Sequence, residues 1–110
     1  MADEHTYRVL VRGRFTDLDD DGRARLRAVA AEHDMLVAGG FTDDGALTYD
    51  DALDFFSFRV QLRAAVASDD RAVCDRGLAL AARAVDALGV DFRDLRASAT
   101  DLDLIKIRRR

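Results

Sequence analysis

Two hydrophobic periodicities alternate along this chain, and their order constrains the fold more than any other feature of the sequence. A period of two residues, which is typical of strands, occurs in segments 6–15, 46–49, 55–63 and 92–100. Helical spacing occupies the stretch that ends near His33 and the stretch from 69 to 88. The elements therefore follow one another as strand, helix, strand, strand, helix, strand.

This order predicts an α+β domain with the ferredoxin-like βαββαβ topology, and residues 1–110 are long enough for one such domain. We expect one four-stranded sheet with two helices on one face, while the other face stays open. Right-handed crossovers place the first and third strands at the centre, and we expect these two strands to be parallel. The predicted core contains Val9, Val11, Leu26, Val29, Phe56, Phe58, Val60, Leu80, Ala84 and Leu88.

Short polar and glycine motifs predict where the elements begin and end. The segment from Thr16 to Asp19 resembles a capping box for the first helix, and Ser68 can cap the second. Gly89 suits the position just past the end of the second helix. A glycine pair at 39–40 breaks the chain, and the short strand that follows is expected to pair back onto residues 41–42.

Composition places the chain among globular proteins, because 49% of its residues are apolar and 35% are charged. The first residues lack the basic and apolar regions of a signal peptide, and no run of about 18 apolar residues occurs. A single cysteine, Cys74, allows no intrachain disulfide, which suits a reducing compartment. We therefore predict a cytoplasmic protein that makes no use of a membrane.

The polar side of the predicted sheet is rich in arginine. Strand alternation gives this side six arginines from three strands: Arg8, Arg12, Arg14, Arg59, Arg63 and Arg96. Like charges on neighbouring strands repel one another unless they are solvated, paired or bound to anions. The sequence alone allows three interpretations of this face.

The first interpretation is a solvated face whose arginines pair with nearby carboxylates of the same chain, such as Asp54, Asp101 or Asp103. The second is a homodimer, in which the acidic segment 43–54, or Asp101 and Asp103, of one copy faces the arginines of the other. The third is a small anionic ligand, because planar guanidinium groups suit carboxylates and phosphates. The candidate ligand-binding residues in that case are Arg8, Arg12, Arg59 and Arg96.

Other chemistry finds little support in the sequence. Cys74 falls in the apolar arc of the second helix, so we expect a structural cysteine. His5 is expected in a mobile tail and His33 near a helix C-terminus. Because Cys74 and these two histidines are far apart in the sequence, we predict no metal site and no cofactor. A net charge of −4 argues against nucleic acid, and the aromatic segment 55–60 leaves only Phe55 exposed for stacking on bases.

Four segments carry a family resemblance that spans most of the chain. They are residues 6–15 (TYRVLVRGRF), 47–50 (LTYD), 53–59 (LDFFSFR) and 99–101 (ATD). Together they resemble a family of small actinobacterial proteins, a domain of unknown function. The resemblance implies an actinobacterial source, and because the family has no assigned activity it implies no catalytic or binding residue.

The leading functional hypothesis is a non-catalytic cytoplasmic module that forms a homodimer through the open sheet face or an edge strand. One rival is a cofactor-free dimeric α+β barrel enzyme that acts on a small anionic substrate, so whether the chain is an enzyme stays undecided here. A second rival is a regulatory module that binds a small metabolite between protomers. The fold alone favours none of these.

Overall fold

One antiparallel sheet forms from the four segments in which polar and apolar residues alternate. The computed structural model describes residues 4–65 and 69–103. Its strands are β1 (Glu4–Thr16), β2 (Ala46–Tyr49), β3 (Phe55–Ala65) and β4 (Asp91–Asp101). Its α-helices are α1 (Asp20–Ala28), α2 (Met35–Ala38) and α3 (Asp70–Asp86), with a 3₁₀ turn at Ala30–His33 between the first two. The described residues therefore form an α+β structure with one four-stranded sheet and three α-helices.

The strand order is β2-β3-β1-β4, which places β1 and β3 at the centre as predicted. The expected parallel pairing of these two strands is wrong, because β1 runs antiparallel to β3 with Val9 opposite Val60. The tight connection at residues 50–54 turns the chain back after β2, so β3 runs against β2. The helical connection between β1 and β2 leaves these two strands pointing the same way, so β3 runs against β1 as well. All three neighbouring pairs are antiparallel.

The short strand β2 also pairs differently from the prediction. It pairs with β3, placing Leu47 opposite Phe58, and forms no ladder with residues 41–42. Thr42 instead makes an isolated parallel bridge with Val60. The carbonyl of Thr42 accepts a hydrogen bond from the Gln61 backbone N–H at 2.8 Å, so this stretch continues the sheet edge beyond β2.

The core lies between α3 and one face of the sheet. Val9, Val11 and Phe58 are buried as predicted. Leu80 and Ala84 of α3 are half-buried and pack against the core, as does Leu88 just after the helix. Val29 is the exception, because it sits half-buried at the end of α1 and lies outside the core cluster. α3 approaches the sheet closely at Gly77, where an added Cβ would lie 2.6 Å from a methyl group of Val9.

Aspartate residues cap both long helices, and they differ from the cap residues that the sequence predicted. The Asp19 side chain accepts a hydrogen bond from the Gly22 N–H at 2.7 Å, so Asp19 rather than Thr16 caps α1. The Asp69 side chain accepts from the Ala72 N–H at 2.8 Å and caps α3, whereas Ser68 lies outside the described residues. α3 ends at Asp86, three residues before Gly89, whose φ of +73° reverses the chain into β4.

The first predicted helix does not continue to His33; it is replaced by α1, the 3₁₀ turn and α2. Contacts with β2 explain the break. The Tyr49 hydroxyl donates a hydrogen bond to the Leu26 carbonyl. The His33 ring stacks on Tyr49 with 5.2 Å between centroids, and its Nδ1 donates to the Leu47 carbonyl at 2.8 Å. These tertiary contacts override the helical spacing, which is a weak preference by comparison.

A β-bulge in β4 keeps the arginines on one face. Arg12 lies opposite Arg96 and Arg14 lies opposite Arg93, so both Asp94 and Leu95 face the single residue Gly13. Asp94 has a φ of +59°, which accommodates the extra residue. Without the bulge, the alternation of side chains would send Arg93 to the opposite face from Arg96. Among the described helices, none is long and apolar enough to cross a membrane.

Candidate functional site

The open sheet face carries the arginines that the sequence singled out. We call this surface the arginine face and define it by Arg8, Arg12, Arg14, Arg59 and Arg96. The strand register sets their positions: Arg8 lies opposite Gln61, Leu10 lies opposite Arg59, and Arg12 lies opposite Arg96. All four predicted ligand-binding arginines therefore point away from the helices, on three adjacent strands.

Most arginines of the face have neutral contacts. The guanidinium carbon of Arg8 lies 5.3 Å from the centre of the Phe41 ring, and that of Arg14 lies 4.9 Å from the centre of the Phe55 ring. Arg59 donates a hydrogen bond to the buried Thr48 hydroxyl at 3.2 Å. Such contacts orient a guanidinium group and leave its charge uncompensated.

Arg12 and Arg96 differ from these three. They lie directly opposite each other on β1 and β4, and both are exposed. Within residues 4–65 and 69–103, neither side chain makes a hydrogen bond, an ion pair or a ring contact. A pair of like charges at directly opposed positions destabilises a sheet unless an anion or solvent screens it.

The carboxylates expected to neutralise the arginine face contact other groups. Asp101 lies opposite Tyr7 on the helix side of the sheet, and one of its oxygens lies 2.7 Å from His5 Nδ1. Asp103 accepts a hydrogen bond from the Thr6 backbone N–H at 2.8 Å. Asp54 makes no ion pair with any arginine in the described part of the chain. Local pairing with these three aspartates therefore does not account for the face.

Two depressions flank the Arg12–Arg96 pair. One of about 390 Å³ is lined by Arg12, Gly13, Arg14, Phe55, Asp94 and Arg96. The other, of about 460 Å³, is lined by Leu10, Arg12, Arg96, Ala97 and Ser98. Because each guanidinium offers a planar set of N–H donors, this arrangement suits a carboxylate or phosphate bound between the two arginines.

The comparison with protein families gives a match over residues 1–110 to the model of DUF6204, a family of unknown function. The chain belongs to DUF6204. Searches of curated proteins and of solved structures find no match. Membership confirms the resemblance to a family of unknown function, and it assigns no activity to any residue of the chain.

The structure of this DUF6204 member contains a polar cluster that the sequence analysis missed. His5, predicted to lie in a mobile tail, is half-buried beside Asp101, and Asp103 lies next to both. One ligand atom from each of these three residues falls within 4.8 Å of the others, so they are the described residues that could hold a metal ion. The alternation that places His5 and Tyr7 on the core side of β1 was the available signal.

Burial and charge raise the pKa of Tyr7 above its ordinary value. Burial of the phenol is the largest cause, followed by the negative charges of Asp101 and Asp70 and a hydrogen bond with Asp101. Tyr7 therefore stays protonated and neutral beside the carboxylates, and it acts as a structural hydrogen-bonding group at physiological pH.

Cys74 of this DUF6204 domain is half-buried on α3. Burial raises the pKa of its thiol, and the neighbouring charges of Asp70 and Asp75 raise it further. A nucleophilic cysteine needs the opposite shift, because the thiolate is the reactive form. These surroundings agree with the structural role predicted from the sequence.

Proposed function

We propose that this DUF6204 domain is a non-catalytic, self-associating module that binds an anion on the arginine face. The observation that carries the proposal is the Arg12–Arg96 pair, two opposed guanidinium groups that lack a partner within the described residues and separate two depressions. A bound carboxylate or phosphate would convert this repulsion into two charge-assisted interactions.

Self-association is supported by the distribution of acidic residues. Asp43 and Asp44 precede β2, and three more acidic residues lie between β2 and β3, namely Asp50, Asp51 and Asp54. All five are exposed, and none forms an ion pair within the described part of the chain. A second copy can bring its acidic turns to the arginine face, which the same copy does not do. The carboxylate on the face then comes either from the partner copy or from a small molecule.

The finer assignments of fold and compartment belong to the same proposal. Two helix-containing crossovers, each spanning one intervening strand, support the ferredoxin-like topology. A lone cysteine supports a reducing cytoplasmic compartment. The actinobacterial source rests on the sequence resemblance, and the proposal needs neither a membrane nor a nucleic acid as partner.

Sedimentation velocity at micromolar concentration, in low and in high salt, tests self-association. We expect a dimer in low salt that dissociates in high salt, because salt screens exposed charges over a Debye length of about 3 Å at 1 M. The double variant Arg12→Gln/Arg96→Gln should be monomeric in both low and high salt. Arg23→Gln/Arg71→Gln removes the same charge from exposed helix positions and should dimerise like the wild type.

The same experiment identifies the source of the anion. If the partner copy supplies it, Asp50→Asn/Asp51→Asn should dissociate the dimer without any added ligand. If a small molecule supplies it, that variant dimerises normally and inorganic phosphate stabilises the dimer further. A wild type that is monomeric at every concentration would refute self-association. A dimer indifferent to salt would place the contact elsewhere, such as at the edge strand β4.

The depressions also support a second candidate, the cofactor-free α+β barrel enzyme. In such a dimer two open sheet faces enclose one cavity, and Leu10, Arg12 and Arg96 would line it. A crystal structure of the dimer separates the two candidates. An enclosed cavity shared by both faces supports the enzyme, whereas contacts between acidic turns and arginines support the binding module.

A further inference from the structure

One exposed aromatic ring lies on the arginine face, at the start of β3. Phe55 is 56% exposed, whereas Phe56 and Phe58 on the other side of the same strand are buried. Phe55 lies opposite Arg14 of β1, whose guanidinium carbon is 4.9 Å from the ring centre. Because alternation turns Phe55 away from the core, its ring is available for contacts on the open face.

Phe55 and the unpartnered arginines line the same depression. Its volume of about 390 Å³ falls within the range of roughly 300–1,000 Å³ that is usual for small-molecule sites. One side offers an apolar ring and the flat guanidinium of Arg14, while Arg12 and Arg96 offer charged donors. Between them, the backbone of Gly13 forms part of the floor of the depression.

A carboxylate on the rim limits the charge that a ligand can carry. Asp94 lines the depression, and its Oδ2 lies 3.7 Å from Arg93 Nε in a pair that is exposed on both sides. An ion pair this exposed is weak, so Arg93 does little to neutralise Asp94. Asp94 would therefore repel a polyanion such as a nucleotide polyphosphate. A single carboxylate held by Arg12 and Arg96, away from that rim, avoids most of this repulsion.

We infer that this depression binds an aromatic monocarboxylate, an inference that rests on the proposed anion-binding function of the arginine face. The carboxylate lies between the guanidinium groups of Arg12 and Arg96. The aromatic ring packs against Phe55 and the guanidinium plane of Arg14, because aromatic rings attract one another at their edges and stack on arginine. Affinity therefore depends on both the charge and the ring of the ligand.

Calorimetric titration of the full chain with benzoate, acetate and inorganic phosphate at constant ionic strength tests the inference. We expect benzoate to bind about tenfold more tightly than acetate, because only benzoate gains the ring contacts. Phe55→Leu should abolish that advantage and leave acetate and phosphate binding unchanged. Phe41→Leu replaces the other phenylalanine next to an arginine, outside this depression, and should bind benzoate like the wild type.

The outcomes separate the inference from the function on which it rests. If acetate and phosphate bind and benzoate binds no more tightly than acetate, the aromatic specificity is wrong and the anion site stands. If Phe55→Leu keeps the benzoate advantage, the ring is bound elsewhere and the inference fails. If none of the three anions binds, or if Arg12→Gln/Arg96→Gln binds them as well as the wild type, the inference fails together with the small-molecule form of the proposed function. The sedimentation of Asp50→Asn/Asp51→Asn then decides whether the partner copy supplies the carboxylate.

Discussion

Among single residues, Gly13 links the core to the arginine face. It lies in β1 between Arg12 and Arg14, and its backbone forms part of the depression on the open side. On the core side, an added Cβ would lie 2.5 Å from Cζ of Phe56 and 2.7 Å from Cδ2 of Leu95. Gly13 is therefore required by packing, since its neighbours occupy the space of a side chain.

Gly13→Ala should destabilise the protein by about 1–3 kcal/mol, the usual cost of overpacking a core. Gly40→Ala is the matched control, because a Cβ at that position would meet no atom within 4 Å. The control should be neutral, or stabilising by about 0.4–1 kcal/mol through a less flexible unfolded chain. Urea unfolding of both variants measures the difference; equal stabilities would show that Phe56 and Leu95 yield to the added methyl group.

The chain's two tyrosines predict how stability depends on alkaline pH. Burial is the largest cause that raises the pKa of both Tyr7 and Tyr49 above 10.0, and negative charges raise each further. The unfolded chain therefore loses its phenol protons first. This difference in tyrosine pKa between the folded and unfolded states stabilises the folded protein. The stabilisation is fully present below pH 10.0 and is lost as the pH rises through the pKa values of the folded protein.

The near-ultraviolet absorbance of tyrosinate, followed during an alkaline titration of the folded protein, measures both pKa values. We expect both to exceed 10.0, and Tyr7→Phe and Tyr49→Phe to assign them. Urea unfolding over the same pH range should show a smaller alkaline loss of stability in Tyr7→Phe than in the wild type. Titration of Tyr7 at or below 10.0 would contradict its burial beside Asp101.

Among the secondary-structure elements, the sequence predicted the bounds of the strands closely but did not predict where the first helix ends. Period-two alternation placed β2 at its observed bounds and the other three strands to within two residues of theirs. The helical stretch before His33 depends on Tyr49 and Leu47 of a later strand, and local spacing carries no information about those contacts. The bulge at Asp94 was equally invisible, because no glycine marks it.

The connection between α1 and β2 leaves three apolar residues exposed on α2. Leu36 is 97% exposed and Leu26 of α1 is fully buried. Leu36→Ala should change the free energy of unfolding by no more than about 0.5 kcal/mol, whereas Leu26→Ala should cost about 2–5 kcal/mol. Urea unfolding of the two variants checks this pair. A comparable loss in Leu36→Ala would mean that α2 packs against the protein.

In the whole molecule, the face that carries the arginines was predictable and its chemistry was not. Alternation placed Arg8, Arg12 and Arg96 on one face, and the sheet order brought their strands together. The sequence could not show that Asp101 and Asp103 lie with His5, because that depends on where β4 ends beside β1. Nor could it show that Arg14 covers Phe55, since the contact follows from the register of β1 and β3.

The central claim is that the arginine face binds an anion between Arg12 and Arg96. Nuclear magnetic resonance of the arginine Nε–Hε groups tests it most directly, during a titration with inorganic phosphate at constant ionic strength. We predict that the resonances of Arg12 and Arg96 shift and saturate, while those of the exposed helix residues Arg23 and Arg71 shift little. Equal, unsaturated shifts in all four arginines, or no shift in Arg12 and Arg96, would contradict the claim.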